Sequence, residues 1–256
     1  MEESKFKPSV KKFLEERGFI VQDIQPKVKE GLQTLDFHVE GKNSNYTIEL
    51  KIKDDNPEEI KEGRKILLKG EILEKSIPAG PRNKLFGIIE DGVEQIKGYD
   101  PESKDYHILW IHSAGEDPML HNMRFQATLF GTETLVSLRR KPLITCYYFN
   151  ESAFYTHRNF LDGVILTHID KLQLCVNTLS LRKNEFRQSD LYQCLSNALL
   201  DPDVLNGEDV MVADCNIDRK EENKVRKYLQ DKYSLDHLQT MPLTQYSGTL
   251  ALPNNH

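Results

Sequence analysis

Asp36, Glu49 and Lys51 are the residues whose types and spacing best suit this chain to chemistry. Glu49 and Lys51 stand two apart in Tyr46-Thr47-Ile48-Glu49-Leu50-Lys51-Ile52-Lys53. Asp36 lies in the preceding segment, Leu35-Asp36-Phe37-His38-Val39-Glu40. Two carboxylates and an ammonium on one face can hold a divalent cation beside a phosphate. Mg²⁺ (or Mn²⁺) prefers oxygen ligands, and Mg²⁺ keeps several waters and is usually bound by one or two carboxylates plus substrate phosphate. Asp36 and Glu49 would supply the carboxylates, and the Leu50 carbonyl a further oxygen. Lys51 would orient or activate the attacking water, or offset negative charge on the phosphate. The same pattern also suits a hairpin with a polar outer face, where cross-strand acid–base pairs are ordinary.

Strand register decides whether the three groups meet. Both segments alternate apolar and polar residues, the period of a half-buried strand. Gly41-Lys42-Asn43-Ser44-Asn45 between them is turn chemistry. If Gly41 pairs with Ser44, or Glu40 with Asn45, Asp36 falls opposite Glu49. Period two then puts Asp36, Glu49 and Lys51 on one face, and Phe37, Val39, Ile48, Leu50 and Ile52 on the other. His38 shares the face of Asp36.

The surrounding elements follow from the same reading. Pro8 is a first-turn residue of a helix that carries Val10, Phe13 and Leu14 and ends at Gly18. Phe19 to Ile24, Leu32 to Glu40 and Asn45 to Lys53 read as three strands. A long polar connection leads to a helix from about Asn83 to Tyr99, with Leu85, Ile88, Ile89, Val93 and Ile96 in helical register. Tyr106 to His112 reads as a fourth strand.

With Asp36, Glu49-Leu50-Lys51 and this order of elements, the chain resembles the PD-(D/E)xK nuclease superfamily over roughly residues 6 to 113. Leu35 stands where that family often has proline. The resemblance implies an α/β, restriction-endonuclease-like αβββαβ core with a mixed central sheet flanked by helices. It implies metal ligation by Asp36 and Glu49 and a catalytic role for Lys51. Gln95-Ile96-Lys97-Gly98-Tyr99 also resembles the Gln-x-x-x-Tyr motif of RecB-like members. An i, i+4 pair shares one helical face, so Gln95 and Tyr99 are expected beside the site.

Composition limits the alternatives. The chain has 256 residues, enough to bury a sizeable core in one domain. Charged residues make up 29% and no apolar run reaches bilayer length, so no membrane span is expected. The first residues lack the apolar core of a signal peptide. Cys146, Cys175, Cys194 and Cys215 are scattered without a Cys-x-x-Cys pair, which fits buried thiols in the cytoplasm. The net charge of −6 makes local charge decisive for any nucleic-acid partner. The richest basic stretch runs from Lys61 to Lys84, where Lys69, Arg82 and Lys84 are expected to contact phosphates.

Residues 1–115 form the expected nuclease core, and residues 116–256 an extension of the same domain or a small second domain. Glu116-Asp117-Pro118 is the best boundary. Leu135 to Leu138, Leu143 to Phe149, Gly163 to His168, Lys171 to Val176 and Asp209 to Cys215 read as strands, with an Asp162-Gly163 turn. Ser189 to Leu200 reads as a helix. Asp218 and Glu221 read as a capping box opening a helix to Tyr233, and the tail from Met241 reads as loose.

The expected function is metal-dependent hydrolysis of DNA phosphodiesters, with RNA not excluded by these residues. Restriction, anti-phage defence or repair follow by analogy at fold level. The alternative is a catalytically idle nuclease-fold module that binds nucleic acid or protein. Homodimerisation, or a partner protein bound through the second half, suits either reading.

Overall fold

The computed structural model describes residues 3–24, 35–78, 83–137, 140–205, 207, 209–241 and 245–250. Up to the basic stretch, the chain forms α1 (Glu3–Glu15), β1 (Ile20–Asp23), β2 (Phe37–Glu40) and β3 (Asn45–Lys53). Next come α2 (Pro57–Leu68), β4 (Leu73–Pro78), α3 (Asn83–Tyr99) and β5 (Tyr106–Ser113). The following portion contains α4 (Pro118–Phe130), β6 (Glu133–Ser137), β7 (Arg140–Tyr147), α5 (Ala153–Thr156), β8 (Gly163–His168) and β9 (Lys171–Val176). The remainder contains α6 (Lys183–Phe186), α7 (Asp190–Cys194), β10 (Leu199–Leu200), β11 (Val210–Val212), α8 (Glu222–Tyr233), β12 (Leu238–Thr240) and β13 (Gln245–Leu250).

The described residues build a mixed seven-stranded sheet in the order β1-β2-β3-β5-β8-β9-β10. β1, β2 and β3 run antiparallel in turn, whereas β3, β5 and β8 are mutually parallel. Strands from both sides of residue 116 therefore share one sheet. A four-stranded sheet (β11-β7-β6-β12) and the ribbon β13-β4 complete the strand pairings.

Two cores cover the large sheet. On one face, Val10 and Leu14 of α1 pack with Phe37, Val39, Ile48 and Leu50, together with Phe186 and Leu191. On the other, Leu85, Ile89 and Val93 of α3 and Phe125 and Leu129 of α4 pack over Leu109, Ile111, Val164 and Leu166. Each helix thus buries an apolar stripe at four-residue spacing. The result is an α/β layered fold in which β3 is buried from both sides.

The structure revises several expectations. The connection after β3 is not a plain loop: Asn56 accepts from the Glu58 N–H and caps α2, with Pro57 opening it. The tail is not loose over its whole length, because β13 pairs with β4 along six residues, from Gln245↔Pro78 to Leu250↔Leu73. Pro8 lies inside α1 rather than in its first turn. Glu116-Asp117-Pro118 opens a helix instead of marking a linker: Asp117 accepts from the Leu120 N–H and caps α4. Gly131 ends α4 in a left-handed conformation, where a Cβ would meet the Glu151 carbonyl oxygen at 2.9 Å. Ser189 does cap a helix, but α7 stops at Cys194, and Leu199–Leu200 leaves as a short parallel strand beside β9. The helix α8 begins at Glu222, and Asp218 closes a local turn by accepting from the Lys220 N–H. Cys146 and Cys175 are buried as expected, whereas Cys194 is exposed. No helix among the described residues is long and apolar enough to cross a membrane.

Candidate active site

The β2–β3 register is the one that brings Asp36 towards Glu49. Glu40 pairs with Asn45 and Phe37 with Ile48, and the Gly41 N–H donates to the Ser44 carbonyl at 2.8 Å. Asp36 sits one residue before the last paired position. It is 5% exposed, and Glu49 is 1% exposed. Carboxylates are rarely buried to this degree without compensating partners.

The partners come from three elements. The Leu50 N–H donates to Asp36 Oδ2 at 2.8 Å, because β2 has stopped pairing and leaves that edge of β3 open. The N–H and C=O of an extended residue leave the same edge, so the Leu50 carbonyl also faces the Asp36 side. Lys7 of α1 forms an ion pair with Asp36 Oδ1. Lys51 Nζ donates to Glu49 Oε1 at 2.8 Å and to Gln95 Oε1 on α3. Asp36 is therefore tied to the Leu50 N–H and to Lys7, while Glu49, Lys51 and Gln95 form a second contact group on neighbouring residues of β3.

Gly92 explains how α3 comes close enough for Gln95 to reach. A Cβ at Gly92 would collide with Leu109 and stand 3.5 Å from Lys51 Cε. The absence of a side chain lets the helix lie directly over the lysine stem. Tyr99 does not join this group. It is the last residue of α3 and is 45% exposed. Glu15, the last residue of α1, and Glu16 after it are also acidic but exposed.

His38 shares the polar face of Asp36 but turns elsewhere. Its Nε2 lies 3.1 Å from Asp105 Oδ2, an oxygen that also accepts from Thr47 Oγ1. His107 and His112 point to opposite faces of β5, as their odd spacing requires. His107 contacts Asp100 and lies tilted against Phe160, while His112 stacks on Phe6 of α1.

The basic side chains distribute unevenly. Lys69 is the exposed C-cap of α2, and Lys84 is exposed in the first turn of α3. Arg82 lies outside the described residues. Two cations that sequence reasoning missed gather near Lys84. Lys53 follows Lys51 by one strand period, and Arg124 projects from α4. Burial, with Lys84 and then Arg124 repelling it, holds the Lys53 ammonium below the usual lysine range. Asp55 tempers this patch. Burial raises its pKa, but hydrogen bonds from the Glu116 N–H and His121 outweigh that and hold it low. The period-two pattern that exposed Lys51 carried the signal for Lys53. No local pattern marked Lys7 or Arg124, which approach through helix packing.

The donor set fits an oxygen-preferring divalent ion. Two buried carboxylates and the Leu50 carbonyl are hard ligands, and both carboxylates are balanced by ammonium groups. Among the described residues no group of three or more His, Cys, Asp or Glu side chains converges.

No protein-family model matches the chain, and neither a curated protein nor a solved structure does.

Proposed function

We propose that this chain is a divalent-metal-dependent nuclease that hydrolyses phosphodiester bonds of DNA. The observation that carries the reading is the β2–β3 register, which brings Asp36 towards Glu49, with Lys51 one strand period on and held by Glu49 and by Gln95 from the covering helix. An isolated polar hairpin face has no need to bury two carboxylates to this depth.

Asp36 and Glu49, with the Leu50 carbonyl, would hold Mg²⁺ or Mn²⁺, which supplies Lewis-acid activation of water and charge neutralisation at the phosphate. Lys51 acts on the substrate. Its ammonium is fixed by Glu49 and Gln95, so it meets the charge developing on the phosphate without reorganising first. Glu49 positions Lys51 as well as serving as a ligand. Lys53, Lys84 and Arg124 extend positive charge beyond the strand end and hold the flanking backbone by its phosphates, without reading bases. Hydrolysis forms one P–O bond from water and breaks one P–O ester bond, and the proton lost by water ends on the leaving oxygen.

Plasmid and linear DNA incubated with Mg²⁺, Mn²⁺ or EDTA test the reading. The expected result is cutting that EDTA abolishes and that Asp36→Ala and Lys51→Ala each abolish. Cutting that survives either substitution overturns the assignment. DNA that is bound but never cut favours the idle binding module instead.

A further inference from the structure

Lys7 is the least expected member of the group. It belongs to α1, on the side of the sheet opposite α3, yet its ammonium pairs with Asp36 Oδ1. That oxygen belongs to a carboxylate the proposed function assigns to the metal ion. The Lys7 side chain is 39% exposed, so its head group can return to water without opening the apolar core. The Asp36 carboxylate is 4% exposed and cannot be left uncompensated at low cost.

We infer that Lys7 is a placeholder cation, which balances Asp36 in the metal-free protein and is displaced when a divalent ion binds. The inference rests on the metal reading above and adds a residue to it. A buried carboxylate needs a counter-charge in both states. An ammonium on a flexible four-carbon stem supplies one that can leave, whereas a rigid bidentate guanidinium would compete more strongly. Lys7 therefore sets the apparent metal affinity from a position the metal never contacts. It also ties α1 to the loading state of the site, since the ion pair links the helix to Asp36 only when the ion is absent.

Calorimetric titration of the full chain with Mn²⁺, without DNA, tests this. Asp36→Asn marks the site, because it should remove binding. Lys7→Ala should bind Mn²⁺ about tenfold more tightly than the parent, since one competitor is gone. Lys7→Arg should bind more weakly than the parent. Thermal melting gives a second readout that does not depend on calorimetric heats. Saturating Mn²⁺ should raise the midpoint of Lys7→Ala by more than that of the parent, because the ion then replaces the counter-charge that Lys7 had supplied. Lys7→Gln, which keeps most of the stem, serves in both measurements if the alanine variant folds poorly. Equal or weaker Mn²⁺ affinity in Lys7→Ala, with Asp36→Asn still abolishing binding, overturns the placeholder role and leaves the metal site standing. Absence of Mn²⁺ binding in parent and variants alike overturns both.

Discussion

Two buried aspartates in this molecule meet opposite fates. Asp162, at the start of β8, accepts from the His107 N–H at 3.0 Å and from Ser180 Oγ at 2.9 Å, and it pairs with Arg182. Arg182 in turn donates to the carbonyls of Ser103 and Asp105. Every partner is fixed by another part of the fold, so the cluster pins the entry to β8 and stitches it to the turn before β5. Asp36 is nearly as buried, but one oxygen is held by a backbone N–H and the other by a lysine that reaches in from solvent. Partners locked in place mark a structural charge; a partner that can leave marks an exchangeable one.

The largest effect should come from Asp162→Ala. It strands the Arg182 guanidinium and the His107 N–H, and denaturant unfolding should show a loss of about 4 kcal/mol. Asp36→Asn should cost only about 1 kcal/mol, because Lys7 returns to water. Equal costs would erase the distinction. Lys51→Ala should lower DNA cleavage by at least about a thousandfold in a single-turnover assay, to below detection in the plasmid assay, with little change in the melting midpoint.

His157 sharpens the comparison from the side of buried bases. It stacks against Phe86, and burial, then the Lys97 ammonium, lowers its pKa from 6.5 to about 4. A base with a depressed folded pKa stays neutral in the fold while the unfolded chain takes up its proton. Stability is therefore full above about pH 6.5 and falls as the pH drops towards about 4. The loss should reach about 3 kcal/mol in urea melts across that window. His112, lowered by burial and the nearby His168, adds to it in the same direction. Asp55 and Asp100 are held below the ordinary carboxylate range, so their contributions persist until the pH falls below about 4. His157→Gln should flatten the profile between those limits. The smallest effect is expected from Lys84→Ala, which should reduce the slope of log Kd for DNA against log salt by about 1.

Local periodicity made much of the sheet and its proposed chemistry legible. β3 and α3 fall within the boundaries that their alternation and helical stripe dictate, and Glu49 and Lys51 share a face because the period of a strand is two. Gln95 was reachable because an intact helix spaced it from the apolar stripe. Tyr99 was misleading for a physical reason: the helix ends on it, and a terminal side chain turns to water. Lys7 and Arg124 had no periodic signature, since their positions depend on how α1 and α4 dock. The Asp162-Gly163 dipeptide resembled a turn because the signal records backbone chemistry and says nothing of Arg182 twenty residues away.

The β4–β13 ribbon has a practical consequence for handling this protein. The excursion between β3 and α3 is zipped to residues 245–250, which pair with β4, the strand that precedes α3. Deleting those last strand residues would strip β4 of its hydrogen-bonded neighbour and unmoor the segment leading into the helix that roofs Lys51. A truncation chosen for convenience would then read out as a damaged centre.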